Sequence, residues 1–218
     1  MPLRLVLIGD STVCEYPGTL PSRGWGQFIE ERFTQGTVKV INLGAEGRST
    51  KTFIQEGRWQ TALAQKPDYV LIQFGHNDSH AADKPESTDA RTDYKNFLRR
   101  YIDGARAAGA TPILVTPMVR RSFDARGKIA ENQPVGNLLP YVRAMKEISQ
   151  EKSVGLIDLY TASKDLAEKL GPQASAALAS RKGDITHFNE KGARAMADLV
   201  LQGLPAAAPE LAKQLKSQ

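Results

Sequence analysis

The sequence contains only one cysteine, Cys14, so no disulfide bond can form within the chain. This usage is compatible with a reducing compartment but does not require one. A chain of 218 residues buries about 70% of its unfolded surface, so its core needs neither disulfides nor a structural metal. The sequence also lacks internal repeats, low-complexity tracts and interdomain linkers. We therefore expect a single domain over residues 1–218, in which residues 205–218 form a tail with a short helix at Pro209–Lys216.

Long hydrophobic runs and dense basic runs are also missing. No apolar stretch approaches the roughly 18 residues of a membrane-spanning helix, so the sequence predicts no membrane partner. The net charge is +5, but lysine and arginine are scattered, and no basic run is flanked by aromatic residues as in a nucleic-acid-binding surface. We therefore expect no nucleic-acid partner. The sequence does not indicate an oligomeric state.

The N-terminus does not carry the features of a signal peptide. Met1-Pro2 leads directly into an apolar run, without a charged leader or a small-residue cleavage site. This pattern predicts a cytoplasmic protein, or a secreted or periplasmic one whose leader has been removed.

Five short apolar runs are the clearest secondary-structure signal. They are rich in valine, isoleucine and leucine and show no polar alternation, which is typical of strands buried on both faces of a parallel sheet. The runs are Leu3–Ile8, Val38–Leu43, Tyr69–Phe74, Pro112–Val115 and Val154–Leu159.

Segments with helical periodicity lie between these runs. The most regular is Tyr94–Ala105, and another begins after Asn137 and ends near Gly155. Gly26–Phe33 and Asn189–Leu201 are predicted as two more helices. Strands that alternate with helices imply right-handed crossovers. We therefore predict the α/β class, as a three-layer α/β/α sandwich around a five-stranded, parallel, flavodoxin-like sheet.

Ser11 is the candidate nucleophile. In an open parallel sheet, reactive groups gather beyond the carboxyl ends of the strands, and Ser11 follows the first run through Gly9-Asp10. A serine hydroxyl needs an adjacent base to act as a nucleophile. The chain has three histidines that could serve, which are His76, His80 and His187.

His187 is the candidate base, with Asp184 as its partner. In Asp184-Ile185-Thr186-His187, the spacing lets one loop place the carboxylate against Nδ1 and leave Nε2 free for Ser11. The sequence therefore predicts a triad of Ser11, Asp184 and His187. Taken singly, Ser11 is also explained as a helix N-cap, and the Asp-x-x-His motif as a cap beside a surface histidine.

An acyl-transfer site also needs donors for the oxyanion of the tetrahedral intermediate. The Ser11 backbone N–H points into the same crevice as its hydroxyl. Gly47 can offer its N–H because a residue without Cβ permits close approach of a ligand. Asn77, just after the third run, can offer its side-chain amide. Gly47 as an ordinary turn glycine and Asn77 as an Asx-turn residue are the structural alternatives.

The blocks around Ser11, Gly47, Asn77 and His187 resemble the SGNH (GDSL) hydrolase superfamily in content and order. The resemblance extends from Leu3 to about Leu201. It implies the SGNH hydrolase fold and a serine hydrolase that works without a cofactor or a metal.

Within that superfamily, the sequence motifs are most similar to those of the rhamnogalacturonan acetylesterases. This resemblance implies an acetylated oligo- or polysaccharide partner, most specifically pectic rhamnogalacturonan, deacetylated through an acetyl-serine intermediate. The matching phrases are Gly9-Asp10-Ser11-Thr12, Gly47-Arg48-Ser49, Phe74-Gly75-His76-Asn77-Asp78, Thr116-Pro117 followed by Arg120-Arg121, and Asp184-Ile185-Thr186-His187-Phe188-Asn189.

Four cationic or polar residues are candidates for substrate binding. The long loop Met118–Pro134 contains Arg120 and Arg121 after the fourth run, where we expect the rim of the site. Arg48 neighbours the proposed oxyanion glycine, and His76 lies in the third block. Arginine can grip a uronate carboxylate through two hydrogen bonds. The alternative is a solvated loop with ordinary surface charge.

Three other functions compete with this interpretation. His76, Asp78 and His80 alternate along the chain and could bind zinc, but a zinc site would leave the triad pattern unexplained. A lysophospholipase, thioesterase or broad short-acyl esterase would keep the triad and change the substrate, although a lipid favours an apolar rim. A carbohydrate-binding module without catalysis is unsupported, because every expected catalytic residue is present.

Overall fold

The structure is a computed structural model that describes residues 1–130 and 135–216. Within these residues, five strands form one sheet: β1 (Leu3–Gly9), β2 (Val38–Asn42), β3 (Tyr69–Gln73), β4 (Thr111–Val115) and β5 (Gly155–Ile157). Their order is β2-β1-β3-β4-β5, and all neighbours are parallel. In β1, Leu5 pairs with Val40 on one side and Tyr69 on the other. The predicted five-stranded, flavodoxin-like sheet is confirmed.

Helices cover both faces of the sheet. In the described residues they are α1 (Thr50–Gln55), α2 (Arg58–Ala64), α3 (Asp93–Ala107), α4 (Leu139–Lys152), α5 (Leu159–Ala176), α6 (Glu190–Ala207) and α7 (Pro209–Ala212). Side chains alternate between the faces of a strand. Leu5 and Leu7 therefore join an apolar cluster with α6, whereas Val6 and Ile8 join a second cluster with α3. The predicted three-layer sandwich is confirmed.

Three of the predicted helices are present with small changes of boundary. α3 buries one stripe because its apolar residues recur every three or four positions. α4 begins at Leu139 and ends at Lys152, as its pattern indicates. α6 continues to Ala207, beyond the predicted end at Leu201. Among the described residues, no helix has both the length and the apolar character needed to cross a membrane.

The predicted helix at Gly26–Phe33 is wrong. The segment instead contains two 3-10 turns, Trp25–Phe28 and Glu30–Arg32, in which N–H groups bond to the carbonyl three residues earlier. Gly26 is pressed against neighbouring loops, since an added Cβ would lie 2.6 Å from both Asn42 Nδ2 and the Val13 carbonyl oxygen. This close packing explains why a glycine occupies the position.

The ends of the chain's last elements also differ from expectation. The run Val154–Leu159 forms a strand only at Gly155–Ile157, because Asp158 caps α5 by accepting a hydrogen bond from the Thr161 N–H at 3.2 Å. The tail helix is shorter than the predicted Pro209–Lys216. The last residues of two predicted segments, 131–134 of the loop Met118–Pro134 and 217–218 of the tail, lie outside the described part of the chain.

Candidate active site

Ser11 lies in a tight turn at the carboxyl end of β1. Asp10 holds the turn, because its Oδ1 accepts hydrogen bonds from the Thr12 N–H at 2.8 Å and from the Thr12 hydroxyl at 2.7 Å. Gly9 is required before it, since an added Cβ would lie 2.6 Å from the Gln73 carbonyl oxygen. The backbone of Ser11 is therefore fixed at the end of the strand.

His187 and Asp184 lie in the loop between α5 and α6. Asp184 Oδ1 accepts hydrogen bonds from the backbone N–H groups of Thr186 at 2.9 Å and His187 at 2.8 Å. The Ser180 hydroxyl donates to Asp184 Oδ2 at 3.0 Å. These bonds fold the loop around the Asp184 carboxylate. The loop ends at Asn189, whose side chain caps α6 by accepting from a backbone N–H.

The three residues of the predicted triad come together across the site. Ser11 Oγ lies 3.0 Å from His187 Nε2, and His187 Nδ1 lies 3.0 Å from Asp184 Oδ2. Because a carboxylate only accepts, Nδ1 carries the proton and Nε2 presents its lone pair to Ser11. This arrangement can move the Ser11 proton to the imidazole and stabilise the imidazolium that forms.

The Asp184 carboxyl stays ionised in this setting. Partial burial raises its pKa, but the hydrogen bonds from the backbone of His187 and Thr186, together with the His187 ring, lower the pKa to about 2. A negative charge therefore faces the imidazole throughout the neutral pH range.

The loops that follow β2 and β3 lie beside the Ser11 turn. The Ala45 N–H donates to the Gly9 carbonyl oxygen at 2.9 Å, which joins the first of these loops to the end of β1. The buried Asn77 side chain donates through Nδ2 to the Arg48 carbonyl oxygen at 3.0 Å, which joins the two loops to each other. The predicted oxyanion-hole segments are thus adjacent to the nucleophile turn.

Gly47 and Ser11 keep free backbone donors. Gly47 has a φ of +76°, a left-handed conformation that favours glycine. In the described part of the chain, neither the Gly47 N–H nor the Ser11 N–H donates to a protein acceptor. One Asn77 amide hydrogen is used by Arg48, and the second is available. Three donors can therefore serve an oxyanion here.

The expectation that His76 binds substrate is wrong, because its ring is only 3% exposed. Nδ1 lies 3.3 Å from Asp10 Oδ2, and Nε2 lies 3.1 Å from the Met118 carbonyl oxygen. Both nitrogens are therefore engaged inside the protein, directly behind the Ser11 turn.

Arg120 does not reach the rim either, since it is 1% exposed. Its guanidinium donates to the His76 carbonyl oxygen at 3.0 Å and to the Gly136 carbonyl oxygen at 2.8 Å. Arg121 is also buried and donates to main-chain oxygens of the Asp184–His187 loop. The predicted substrate contacts of both arginines are corrected to internal ones, because burial keeps them from solvent.

Arg48 does lie at the surface, where it forms an ion pair with Glu56 at 3.0 Å. A second exposed cation, Arg181, has a side chain that is 80% exposed and lies 3.7 Å from Asp184 Oδ2. These two arginines flank the site from the oxyanion side and the acid–base side.

The alternating residues that suggested zinc do not converge. His76 faces Asp10, Asp78 Oδ1 accepts from the hydroxyls of Thr50 at 2.5 Å and Thr88 at 2.9 Å, and His80 faces Glu86. Across residues 1–130 and 135–216, no group of three histidine, cysteine or acidic side chains is arranged to hold a metal ion.

Comparison with known families agrees with this geometry. Residues 7–195 match the GDSL-like lipase/acylhydrolase family. The chain belongs to that family. As a GDSL-like acylhydrolase it is a carboxylic ester hydrolase, and the predicted superfamily is confirmed.

This GDSL-like hydrolase is similar in sequence and structure to several other proteins. Rhamnogalacturonan acetylesterase RhgT of Bacillus subtilis is 39% identical over 219 residues, which cover 93% of this chain and 90% of the relative. The probable rhamnogalacturonan acetylesterase YesY of the same organism is 38% identical over 211 residues, covering 94% and 93%. The crystal structure of B. subtilis YxiM superposes with a TM-score of 0.80 at 28% identity, covering 94% of this chain and 56% of that one.

Sequence reasoning missed three features of this GDSL-like site. Asp10 was visible only as part of the Gly-Asp-Ser motif, and its bond to His76 has no sequence signal. Arg181, three residues before Asp184, gave a detectable signal as a cation beside the acid. The contacts of Arg121 with the Asp184–His187 loop link residues far apart in sequence, so only the fold shows them.

Proposed function

We propose that Ser11, His187 and Asp184 are the catalytic triad of a serine acetylesterase that acts on acetylated rhamnogalacturonan. The observation that carries the proposal is the chain of two 3.0 Å contacts from Ser11 Oγ through the His187 ring to Asp184, in a GDSL-like hydrolase. No cofactor takes part in this chemistry.

Acylation begins when Ser11 Oγ attacks the acetyl carbonyl carbon. His187 Nε2 takes the hydroxyl proton as the new C–O bond forms, and the carbonyl oxygen becomes an oxyanion. When the tetrahedral intermediate collapses, His187 returns this proton to the departing sugar oxygen. The acetyl group is then esterified to Ser11, and the deacetylated sugar alcohol leaves.

Deacylation repeats the sequence with water. His187 removes a proton from a water molecule as it attacks the acetyl-serine carbonyl, and the second tetrahedral intermediate releases Ser11 Oγ, which recovers the proton. Acetate leaves and the enzyme returns to its starting state. Asp184 stabilises the imidazolium in both halves.

The N–H groups of Ser11 and Gly47 and the Asn77 amide hold the oxyanion in this proposal. Loss of one such donor typically costs about 10²–10³ in kcat. Asn77→Ala should fall in this range. The Arg48 carbonyl, which accepts from Asn77 Nδ2, orients the amide so that its second hydrogen is available.

The relatives named rhamnogalacturonan acetylesterase, at 38–39% identity over most of the chain, support the choice of substrate. The rim also supports it, because Arg181 is an exposed cation, Arg48 is a partly exposed one paired with Glu56, and the pectic backbone carries uronate carboxylates. An acidic polymer would gain from both positions.

The test measures acetate released from acetylated rhamnogalacturonan, acetylated xylan and a simple chromogenic acetate ester. We expect the highest kcat/KM on the pectic substrate, and a loss of about 10⁴ or more in kcat for Ser11→Ala and for His187→Ala. Near-wild-type turnover by folded Ser11→Ala protein would overturn the nucleophile assignment. Equal kcat/KM on all three substrates would overturn the assignment of acetylated rhamnogalacturonan as the substrate.

A further inference from the structure

Arg121 contacts the catalytic loop at several points from a single side chain. It follows β4, and its Nη2 donates to the main-chain oxygens of Asp184 at 2.9 Å and His187 at 2.8 Å. Nη1 lies 3.5 Å from the Thr186 carbonyl oxygen, and the Arg121 N–H donates to the Ile185 carbonyl oxygen at 2.8 Å.

Phe188 completes this contact. The Arg121 guanidinium carbon lies 4.1 Å from the centre of the Phe188 ring, which is 3% exposed. A planar cation on an aromatic face is a favourable arrangement. Arg121 therefore touches residues 184 to 188 in succession, which include both members of the acid–base pair.

This placement is costly for the arginine itself. Burial lowers the pKa of Arg121 to about 10, although the Asp184 charge opposes the shift. Within the described residues, its Nε has no hydrogen-bond partner. All hydrogen bonds of the guanidinium go to carbonyl oxygens of the Asp184–His187 loop. The side chain therefore holds the main chain of that loop.

The bonds inside the loop do not fix it relative to Ser11, which follows β1 on a different part of the chain. Asp184 accepts from Thr186 and His187, so the carboxylate and the imidazole are fixed relative to each other. The Arg23 N–H also donates to the Phe188 carbonyl oxygen at 2.8 Å, but Arg121 is the side chain that contacts residues 184 to 188 together. A displacement of about 1 Å between catalytic groups can cost on the order of 10²-fold in rate.

We propose that Arg121 is a positioning residue, which holds the Asp184–His187 loop so that His187 Nε2 stays within reach of Ser11 Oγ. The inference rests on the proposed function, because it needs His187 to be the base. Arg121 acts through the main chain and does not touch the substrate.

Two substitutions test the role. Arg121→Lys keeps the charge and most of the stem, but an ammonium cannot reproduce the planar fork or the stacking on Phe188. Arg121→Met keeps apolar packing and removes every side-chain donor, while the backbone N–H that donates to the Ile185 carbonyl oxygen stays. Both should lower kcat by on the order of 10²-fold, with KM for a simple acetate ester changed less than about twofold.

Arg106→Met is the matched control. Arg106 also donates to main-chain oxygens, those of Lys152 at 2.7 Å and Ser153 at 3.2 Å, but it lies near the end of α3, just before β4 begins. It therefore lies near the amino ends of the strands, whereas the catalytic loops lie at their carboxyl ends. This variant should keep the wild-type kcat.

The outcomes separate the two proposals. Assays run below the unfolding transition of each variant, measured by circular dichroism. Wild-type kcat in folded Arg121→Lys and Arg121→Met, beside an inactive Ser11→Ala, would overturn the positioning role alone. An equal loss in Arg106→Met would also overturn it, because the effect would then be general. An active Ser11→Ala would overturn the proposed function instead.

Discussion

The carboxylate of Asp10 and the imidazole of His76 lie 3.3 Å apart in the interior behind the Ser11 turn. His76 Nε2 lies 3.1 Å from the Met118 carbonyl oxygen, so both ring nitrogens face acceptors. Burial lowers the pKa of His76 and outweighs the Asp10 charge, which raises it, so the ring is neutral at pH 7. A buried hydrogen-bonded pair of a carboxylate and a neutral imidazole therefore joins the end of β1 to the loop after β3.

Removal of one partner from this pair should destabilise the fold. His76→Leu leaves the buried Asp10 carboxylate without its imidazole partner, and a buried polar group left unsatisfied typically costs about 1–3 kcal/mol or more. Asp10→Asn should cost less, because its oxygen still accepts from Thr12 and its amide can donate to Nδ1 of a neutral ring. Urea unfolding at pH 7 measures both, and a His76→Leu protein as stable as Asp10→Asn would contradict a stabilising contact between His76 and the Asp10 carboxylate.

The strands could be predicted because burial on both faces leaves a local signal in the sequence. Each strand of the sheet coincides with a run rich in valine, isoleucine and leucine, which Arg4 interrupts in β1 and Lys39 interrupts in β2. α5 left no such signal, since Gly171 has a non-helical φ of +75° inside it and Pro172 follows, two residues that normally mark the end of a helix. α1 and α2 are too short to show a clear period.

The residues of the candidate site also fall into those that the sequence pattern could place and those that it could not. Ser11 and Asn77 follow predicted strands, and the Asp184–His187 loop precedes the predicted helix at Asn189–Leu201, so their meeting could be expected from topology alone. Arg120 and Arg121 could not be placed, because charged side chains are usually exposed and only tertiary contacts show that these two are buried. Their adjacency in sequence also hides that one holds the His76 loop and the other the His187 loop.

Asp78 should make stability depend on pH. Burial raises its pKa to about 7, although hydrogen bonds from Thr50 and Thr88 partly oppose the shift. Its ordinary pKa is 3.8, so between pH 4 and 7 the folded state binds more protons than the unfolded state, and this contribution to stability is lost as pH rises through about 7. The free energy of unfolding of wild-type protein relative to Asp78→Asn should fall from pH 5 to pH 8.

The slope is on the order of 1 kcal/mol per pH unit while only the folded state holds the proton. Urea unfolding of both proteins at four pH values measures it. A difference between wild type and Asp78→Asn that stays constant from pH 5 to 8 would show that Asp78 is ionised in the fold throughout.

Asp184 should not contribute to loss of activity at moderately acid pH. Its pKa of about 2 keeps it ionised across the moderately acid range. The acid limb of a plot of log kcat/KM against pH should therefore be no steeper than a slope of one above about pH 3. Asp184→Asn should lower kcat by about 10⁴ at neutral pH, because the imidazole loses the partner that fixes its tautomer. An acid limb with a slope of two would show a second titrating group.

Arg181 should discriminate between charged and neutral substrates. Its side chain is 80% exposed and its Nε lies only 3.7 Å from Asp184 Oδ2, so it can contact a uronate on a polymer bound at the triad. Exposed ion pairs are worth about 0–1 kcal/mol, so Arg181→Gln should raise KM for acetylated rhamnogalacturonan by up to about fivefold. The effect should shrink at high salt, since exposed charges are screened.

The neutral chromogenic acetate ester separates substrate binding from an effect on the triad. If Arg181 acts on the polymer, its loss leaves kcat and KM for this ester unchanged. If it acts through Asp184, the two substrates lose kcat equally, and the substrate contact is contradicted. Lys182→Gln is the matched control, because the neighbouring cation is also exposed but forms no ion pair with Asp184 within the described residues. A KM increase as large in Lys182→Gln would indicate general attraction of the polymer to positive charge rather than a contact at Arg181.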